Sequence, residues 1–99
     1  MKRNLVPSSN FIRLLKRINK KHPELENTIL KILEILSHNP FDSRLKTHKL
    51  KAKFEGCYSC VVGYDLRILI KFIDKFDNET KSKSEDILLL TIGKHDEVY

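Results

Sequence analysis

The stretch Leu66-Arg67-Ile68-Leu69-Ile70-Lys71-Phe72-Ile73 sets Leu66, Ile68, Ile70 and Phe72 against Arg67, Leu69, Lys71 and Ile73. A period of two with one strongly apolar face predicts a central β-strand. Just upstream, Cys57 to Val62 reads as another strand, with Gly63-Tyr64-Asp65 as the turn between the two. Downstream, Ile87-Leu88-Leu89-Leu90-Thr91-Ile92 is apolar at nearly every position. Such a run suits a strand buried from two sides, and Gly93 closes it. The polar segment between, Asp74 to Asp86, is expected to be a long mobile hairpin loop. Before the strands, Phe41 to Arg44 reads as loop, and Leu45 to Lys53 alternates around Leu50 as a plausible short strand.

The first half of the chain has a different period. Residues 2–6 read as a short edge strand stopped by Pro7. Ser8, Ser9 and Asn10 are N-cap types. Behind them Phe11, Leu14, Leu15 and Ile18 fall at helical spacing, which predicts a helix over about 8–21. His22-Pro23 breaks it, because the residue before a proline avoids the α region. Pro23 then suits the first turn of a second helix, with Glu24 and Glu26 near its positive end. Leu25, Ile29, Ile32, Leu33 and Leu36 carry the stripe until Asn39-Pro40. The expected class is α+β: an N-terminal edge strand, an αα-hairpin, then an antiparallel β-meander with the helices on one face. The other face would stay more open and carry Ser59, Arg67, Lys71 and the groups near Asp65 and Gly93.

The 99 residues make one domain, since two would each be too small for a core. No apolar run is long enough to span a bilayer. The basic start Met1-Lys2-Arg3 lacks the apolar stretch of a signal peptide behind it, so a cytoplasmic location is expected. The net charge is +6, from 19 Lys+Arg against 13 Asp+Glu. Its distribution is uneven: Lys46, Lys49, Lys51 and Lys53 cluster with His48, and Arg13, Lys16, Arg17, Lys20, Lys21 and His22 follow one face of the first helix. Clustered positive charge favours a nucleic-acid or acidic-protein partner over mere solvation. Cys57 and Cys60 spell C-x-x-C, but the motif lies in a strand and no second ligand pair exists, so two ordinary strand cysteines are expected. No P-loop, dinucleotide fingerprint, nucleophile elbow or metal motif occurs, and no cofactor or metal is implied. What remains is acid–base and electrostatic chemistry, or a binding module.

Several residues could carry that chemistry. His22 and His38 sit at helix ends, where a capping role suffices. His48 lies among the lysines, and His95 follows the last strand, where catalytic groups are commonly displayed. Histidine exchanges protons near neutral pH. Asp65 and Arg67 are two residues apart, so strand parity would put both on one face. They could share a phosphate site, which the guanidinium fork suits, or form an Asx turn and a surface ion pair. Tyr99 is the final residue, with its hydroxyl expected free near His95 and its ring able to stack on a base. The alternative for Tyr99 is a ring packed on the sheet edge.

Taken together, Thr47-His48-Lys49-Leu50-Lys51, Gly56-Cys57-Tyr58-Ser59-Cys60, Tyr64-Asp65-Leu66-Arg67-Ile68-Leu69 and Leu90-Thr91-Ile92-Gly93-Lys94-His95-Asp96-Glu97-Val98-Tyr99 resemble the RelE/YafQ superfamily of bacterial type II toxins. The resemblance covers nearly the whole chain and implies the RelE-like microbial RNase fold. It also implies a ribosome-dependent mRNA endonuclease, metal-independent, inhibiting translation and neutralised by a cognate antitoxin. In that chemistry the RNA 2′-OH attacks the adjacent phosphate. By position, His48 and Asp65 match the family's candidate bases, Arg67 a phosphate-stabilising arginine, His95 the general acid and Tyr99 an RNA-contacting aromatic. The basic residues Lys46, Lys49, Lys51, Lys53 and Lys94 would bind the RNA backbone. Three family positions differ: a histidine falls on Val61, an aromatic on Leu66 and an arginine on Thr91, leaving the base as His48 or Asp65. The alternative is a module of the same fold, weakly active or without catalysis, that binds the ribosome, nucleic acid or an antitoxin.

Overall fold

The computed structural model describes residues 2–63 and 65–99; Met1, and Tyr64 of the expected turn, lie outside the described residues. Among the described residues five strands form one sheet in the order β1-β5-β4-β3-β2. They are β1 (Leu5–Pro7), β2 (His48–Lys49), β3 (Tyr58–Gly63), β4 (Leu66–Asp77) and β5 (Ser82–Lys94). The helices are α1 (Ser9–Lys21), α2 (Glu26–His38) and a single C-terminal turn, α3 (His95–Val98). Strands β2 to β5 pair antiparallel, and β1 lies parallel to β5 with Leu5 opposite Ile87. The class is therefore α+β with a helical hairpin on an antiparallel meander, as the periodicity indicates.

The helices begin and end where their caps dictate. Ser8 accepts the Phe11 N–H at 3.0 Å and donates its own hydroxyl to the Leu90 carbonyl at 2.9 Å, so one side chain caps α1 and pins it to β5. His22 leaves the helical region before Pro23, and a 3₁₀ turn over Pro23–Leu25 leads into α2. Asn39 closes α2 by donating its N–H to Ile35. Phe11, Ile29 and Leu36 from the helices meet Cys60, Val62, Leu66, Ile68, Ile70, Ile87, Leu89 and Ile92 from the sheet. Most of these side chains are completely buried. Each contributes on the order of 1.5–3 kcal/mol of hydrophobic stabilisation.

Strand β5 explains its own apolar run. Leu69 pairs with Thr91 and Ile70 with Leu89, so Leu90 is an extra residue in a bulge. A bulge resets which side chains face the core. Ile87 and Leu89 point inward before it and Ile92 after it, while Leu88, Leu90 and Thr91 stay half-buried on the second face. The strand also runs past Gly93 to Lys94.

Two expectations need correction. Asp74 to Asp86 is not a long loop: β4 and β5 remain paired from Asp74 opposite Glu85 to Asp77 opposite Ser82, leaving a four-residue turn over 78–81. This ribbon projects beyond the helices with solvent on both faces, so its strands lack the apolar alternation that marks a half-buried strand. The Asp77 carboxylate accepts the Glu79 N–H at 2.9 Å, and Lys75 pairs with Asp86 at 3.6 Å. The segment Leu45 to Lys53 is the second case. Its strand shrinks to His48–Lys49 between 3₁₀ turns at Ser43–Leu45 and Ala52–Phe54. Left-handed backbone at Lys46 (φ 48°) and Ala52 (φ 58°) bends the chain at both ends of the strand. The first turn is fixed by Asp42, which accepts the Arg44 N–H and guanidinium at 2.9 Å each. Those bonds hold the Asp42 carboxyl down at about 2. Leu45 drops into the core behind it, and Lys46 to His48 are delivered to the sheet edge.

Candidate functional site

The C-terminal segment folds back over the open face of the sheet. Gly93 leaves room for it: a Cβ there would sit 3.3 Å from Val98 Cγ1 and 3.4 Å from Glu97 Cβ. Val98 is buried against that glycine. The Lys94 N–H donates to the Glu97 carboxylate at 2.9 Å, closing the first turn of α3, and the His95 N–H donates to the Asp65 carbonyl at 3.1 Å. The start of this short helix is thus tied to the β4–β5 end of the sheet. Tyr99 then reaches back so that its hydroxyl donates to Ser59 Oγ. The expected free hydroxyl is therefore engaged, and the alternative of a ring packed against the sheet describes Tyr99 better. Its ring meets the His95 imidazole edge-on, centroids 4.5 Å apart, and the Phe54 ring at 6.2 Å.

Register brings the other groups alongside. In antiparallel strands directly opposed residues share a face. His48 pairs with Ser59, Ser59 with Leu69 and Leu69 with Thr91. The adjacent row is Val61, Arg67 and Gly93. An open cleft of about 580 Å³ results, lined by Lys46, His48, Leu50, Val61, Arg67, His95 and Tyr99. Of these seven described residues none is Asp or Glu, and four are basic. Four of the five expected catalytic residues meet there. His48 Nδ1 lies 3.0 Å from the Lys46 carbonyl. A carbonyl can only accept, so Nδ1 carries the hydrogen and Nε2 is left with its lone pair in the neutral ring. Arg67 donates one N–H to the Leu66 carbonyl at 3.0 Å, which holds its fork over the strand, and it has no ion-pair partner among the described residues. His95 Nδ1 lies 3.7 Å from the fully exposed Asp96 carboxylate.

Asp65 lies elsewhere. It precedes β4 with φ at 124°, a region costly for a non-glycine residue, so strand parity does not extend to it. It lines a separate depression of about 510 Å³ with Arg17, Lys21, Leu66 and Lys94 beneath the end of α1. Its tie to the cleft residues is through its backbone carbonyl, which accepts the His95 N–H. The lysines also divide. Lys46 lines the cleft, while Lys94 faces the Asp65 depression. Lys49 pairs with Tyr58 and so faces the helix side, sharing a third depression with Lys51. Lys53 lies over the Phe54 ring, 5.2 Å from its centroid. Of the three differing family positions, Val61 lines the cleft, Thr91 shares its face and Leu66 is part of the core.

Two residues matter more than the sequence alone suggests. Ser59, expected on the open face, is completely buried there beneath Tyr99. Phe54 is the second: its ring stands 6.2 Å from that of Tyr99 and beneath the Lys53 ammonium, at the end of the Lys51–Lys53 basic run. The cysteines are both free, with Cys60 in the core 3.4 Å from the Thr47 hydroxyl and Cys57 outside the strand. Burial pushes the Cys60 thiol up.

No family model matches this chain, and no curated protein matches it. Solved structures do. YafQ from E. coli strain BL21(DE3) is 20% identical, covers 99% of this chain and 99% of its own, and superposes with a TM-score of 0.76. The YoeB/ParE toxin from Agrobacterium tumefaciens is 13% identical over 93% of this chain and 98% of its own, with a TM-score of 0.74. The E. coli DinJ–YafQ toxin–antitoxin complex contains a chain 19% identical, matching 100% of this chain and 99% of its own at a TM-score of 0.74. The five-stranded sheet with its helices is thus the RelE/YafQ toxin fold.

Proposed function

We propose that this chain is the toxin of a bacterial type II toxin–antitoxin pair, an RNA endonuclease that cleaves mRNA on the ribosome. The observation that carries the reading is the basic cleft in which His48, Arg67, His95 and Tyr99 converge. Its fold is shared with YafQ and YoeB-type toxins, two of them solved in complex with their antitoxins.

The cleft supplies each group that phosphodiester transesterification needs. His48 Nε2 takes the proton from the RNA 2′-OH. The freed oxygen attacks the adjacent phosphorus, and the bond to the 5′-oxygen breaks. Arg67 offsets the charge gathering on the non-bridging oxygens through paired N–H donors. His95 delivers its proton to the departing 5′-oxygen, leaving a 2′,3′-cyclic phosphate and a 5′-OH. Lys46 neutralises a flanking phosphate, and the Tyr99 and Phe54 rings offer a surface for a base. Lys49, Lys51, Lys53 and Lys94 would hold the RNA or ribosome outside the cleft. Between the two bases the resemblance leaves open, the cleft favours His48, because Asp65 lines a different depression. An antitoxin would silence the protein by covering this basic surface.

Primer extension on a translated mRNA tests the reading. Cuts at the ribosomal A site are expected. Salt-sensitive RNA or ribosome binding with no cut would replace it by a binding module of the same fold, a role that the loss of a cleft histidine at Val61 is compatible with.

A further inference from the structure

Two polar side chains are buried among the described residues, Ser37 and Ser59. Ser37 satisfies itself within its own helix, donating to the Glu34 carbonyl at 2.8 Å. Ser59 does not: its partner is the Tyr99 hydroxyl, 40 positions away in sequence. A buried hydroxyl bonded across the chain to an aromatic beside an imidazole calls for an explanation beyond packing. The position of Ser59 supplies one. It is the cross-strand partner of His48 on one side, and it anchors Tyr99, whose ring bears edge-on against His95, on the other. The α3 helix is a single turn, too short to hold an orientation by its own hydrogen bonds. Its backbone ties to Asp65 and Glu97 fix where His95 begins but not how its ring is turned.

We propose that Ser59 is a positioning residue for the reaction, setting the His95 imidazole relative to His48 through the Tyr99 hydroxyl. The inference rests on the endonuclease reading above and adds to it a residue that never touches the substrate. Tyr99 then acts in two ways, its ring edge steadying the acid while its hydroxyl transmits the register of β3.

Three variants of the full chain test this: Ser59→Ala, Tyr99→Phe and the two combined. Each is expected to lower kcat by on the order of tenfold to a hundredfold with KM little changed, since misplacing a reacting group acts on the chemical step. The double variant should lose no more activity than either single one, because both break the same link. Its thermal midpoint should lie above those of the single variants, because removing both polar partners strands neither. Stability is then regained in the double variant while activity is not, which a purely structural Ser59 would not produce. A kcat for all three within assay error of the parent, or one falling only with the folded fraction, would overturn the proposal. The His95 ring protons, shifted by the Tyr99 ring current, give a readout independent of turnover. They should move toward free-histidine positions in each variant while those of His48 stay put. If the parent chain cuts no RNA, the endonuclease reading fails, and unmoved His95 protons would separately end the positioning one.

Discussion

His48 Nδ1 and the Lys46 carbonyl oxygen lie 3.0 Å apart, and this contact fixes which nitrogen of His48 faces the cleft. Lys46 can present its carbonyl there because its backbone is left-handed. The neutral ring is thus held with the lone pair of Nε2 left unused by that contact. Replacing His48 with alanine should lower cleavage by on the order of 10²–10⁴-fold, the range of a lost general base. Asp65→Asn should leave the rate near that of the parent. Single-turnover cleavage of a defined mRNA on stalled ribosomes would decide, and the reverse order of effects would move the base to Asp65.

The His95 side chain is about half exposed, so its removal costs little folding energy. His95→Gln should abolish growth arrest on expression, with cleavage down on the order of 10²–10⁴-fold. The thermal midpoint should stay where it was. Undiminished toxicity would remove His95 as the acid.

Asp65 holds φ at 124°, a conformation in which a side chain is strained and glycine is not. Asp65→Gly relieves that strain but gives the unfolded chain more freedom, so a net gain of about 1 kcal/mol is expected. For a chain this short that is a rise of roughly 4–8 °C in the thermal midpoint. The backbone carbonyl that receives the His95 N–H is retained. Cleavage should therefore survive, and a calorimetric scan beside a cleavage assay checks both halves.

These residues also show where sequence reasoning reaches and where it stops. Leu66, Ile68 and Ile70 announce β4 because their alternation is driven by a core on one side. The same strand beyond Ile73 is silent, because a ribbon wet on both faces has no such constraint. His48, Arg67 and His95 are legible as chemical residues by type and place in the chain. That Asp65 does not join them follows from one backbone torsion before the strand, and the sequence carries no mark of it. Ser59 is unreadable for another reason. A serine in a strand looks like any polar outward position until a C-terminal turn closes over it.

Burial raises the pKa of Cys60 above its ordinary value of 9.0, with the Thr47 hydroxyl opposing weakly. The folded state therefore holds the proton more tightly than the unfolded one. Well below pH 9 both states keep the proton and Cys60 leaves stability unchanged; as pH rises through 9 the unfolded thiol ionises first, and stability falls. Iodoacetamide at about pH 8 should accordingly modify Cys57 in the native protein and reach Cys60 only after denaturation. Mass spectrometry of the two states would count one adduct and then two. Two adducts in the native state would contradict a core position for Cys60.

Gly93 offers the most direct test that the resting place of the C-terminal turn sets the site. A methyl at that position would press on Val98 Cγ1 at 3.3 Å and on Glu97 Cβ at 3.4 Å. Val98 is buried, so either its side chain or the whole of α3 must give by a few tenths of an ångström. Gly93→Ala should cost about 1–3 kcal/mol, the range for overpacking. Cleavage should fall further than the folded fraction does, because α3 carries His95 with it. Adding Val98→Ala reopens the space. If displacement is the cause, the double variant should recover cleavage relative to Gly93→Ala even though a buried valine has been lost. Rates that simply follow the fraction folded in both variants would mean that α3 is packing alone and that His95 does not depend on where it rests.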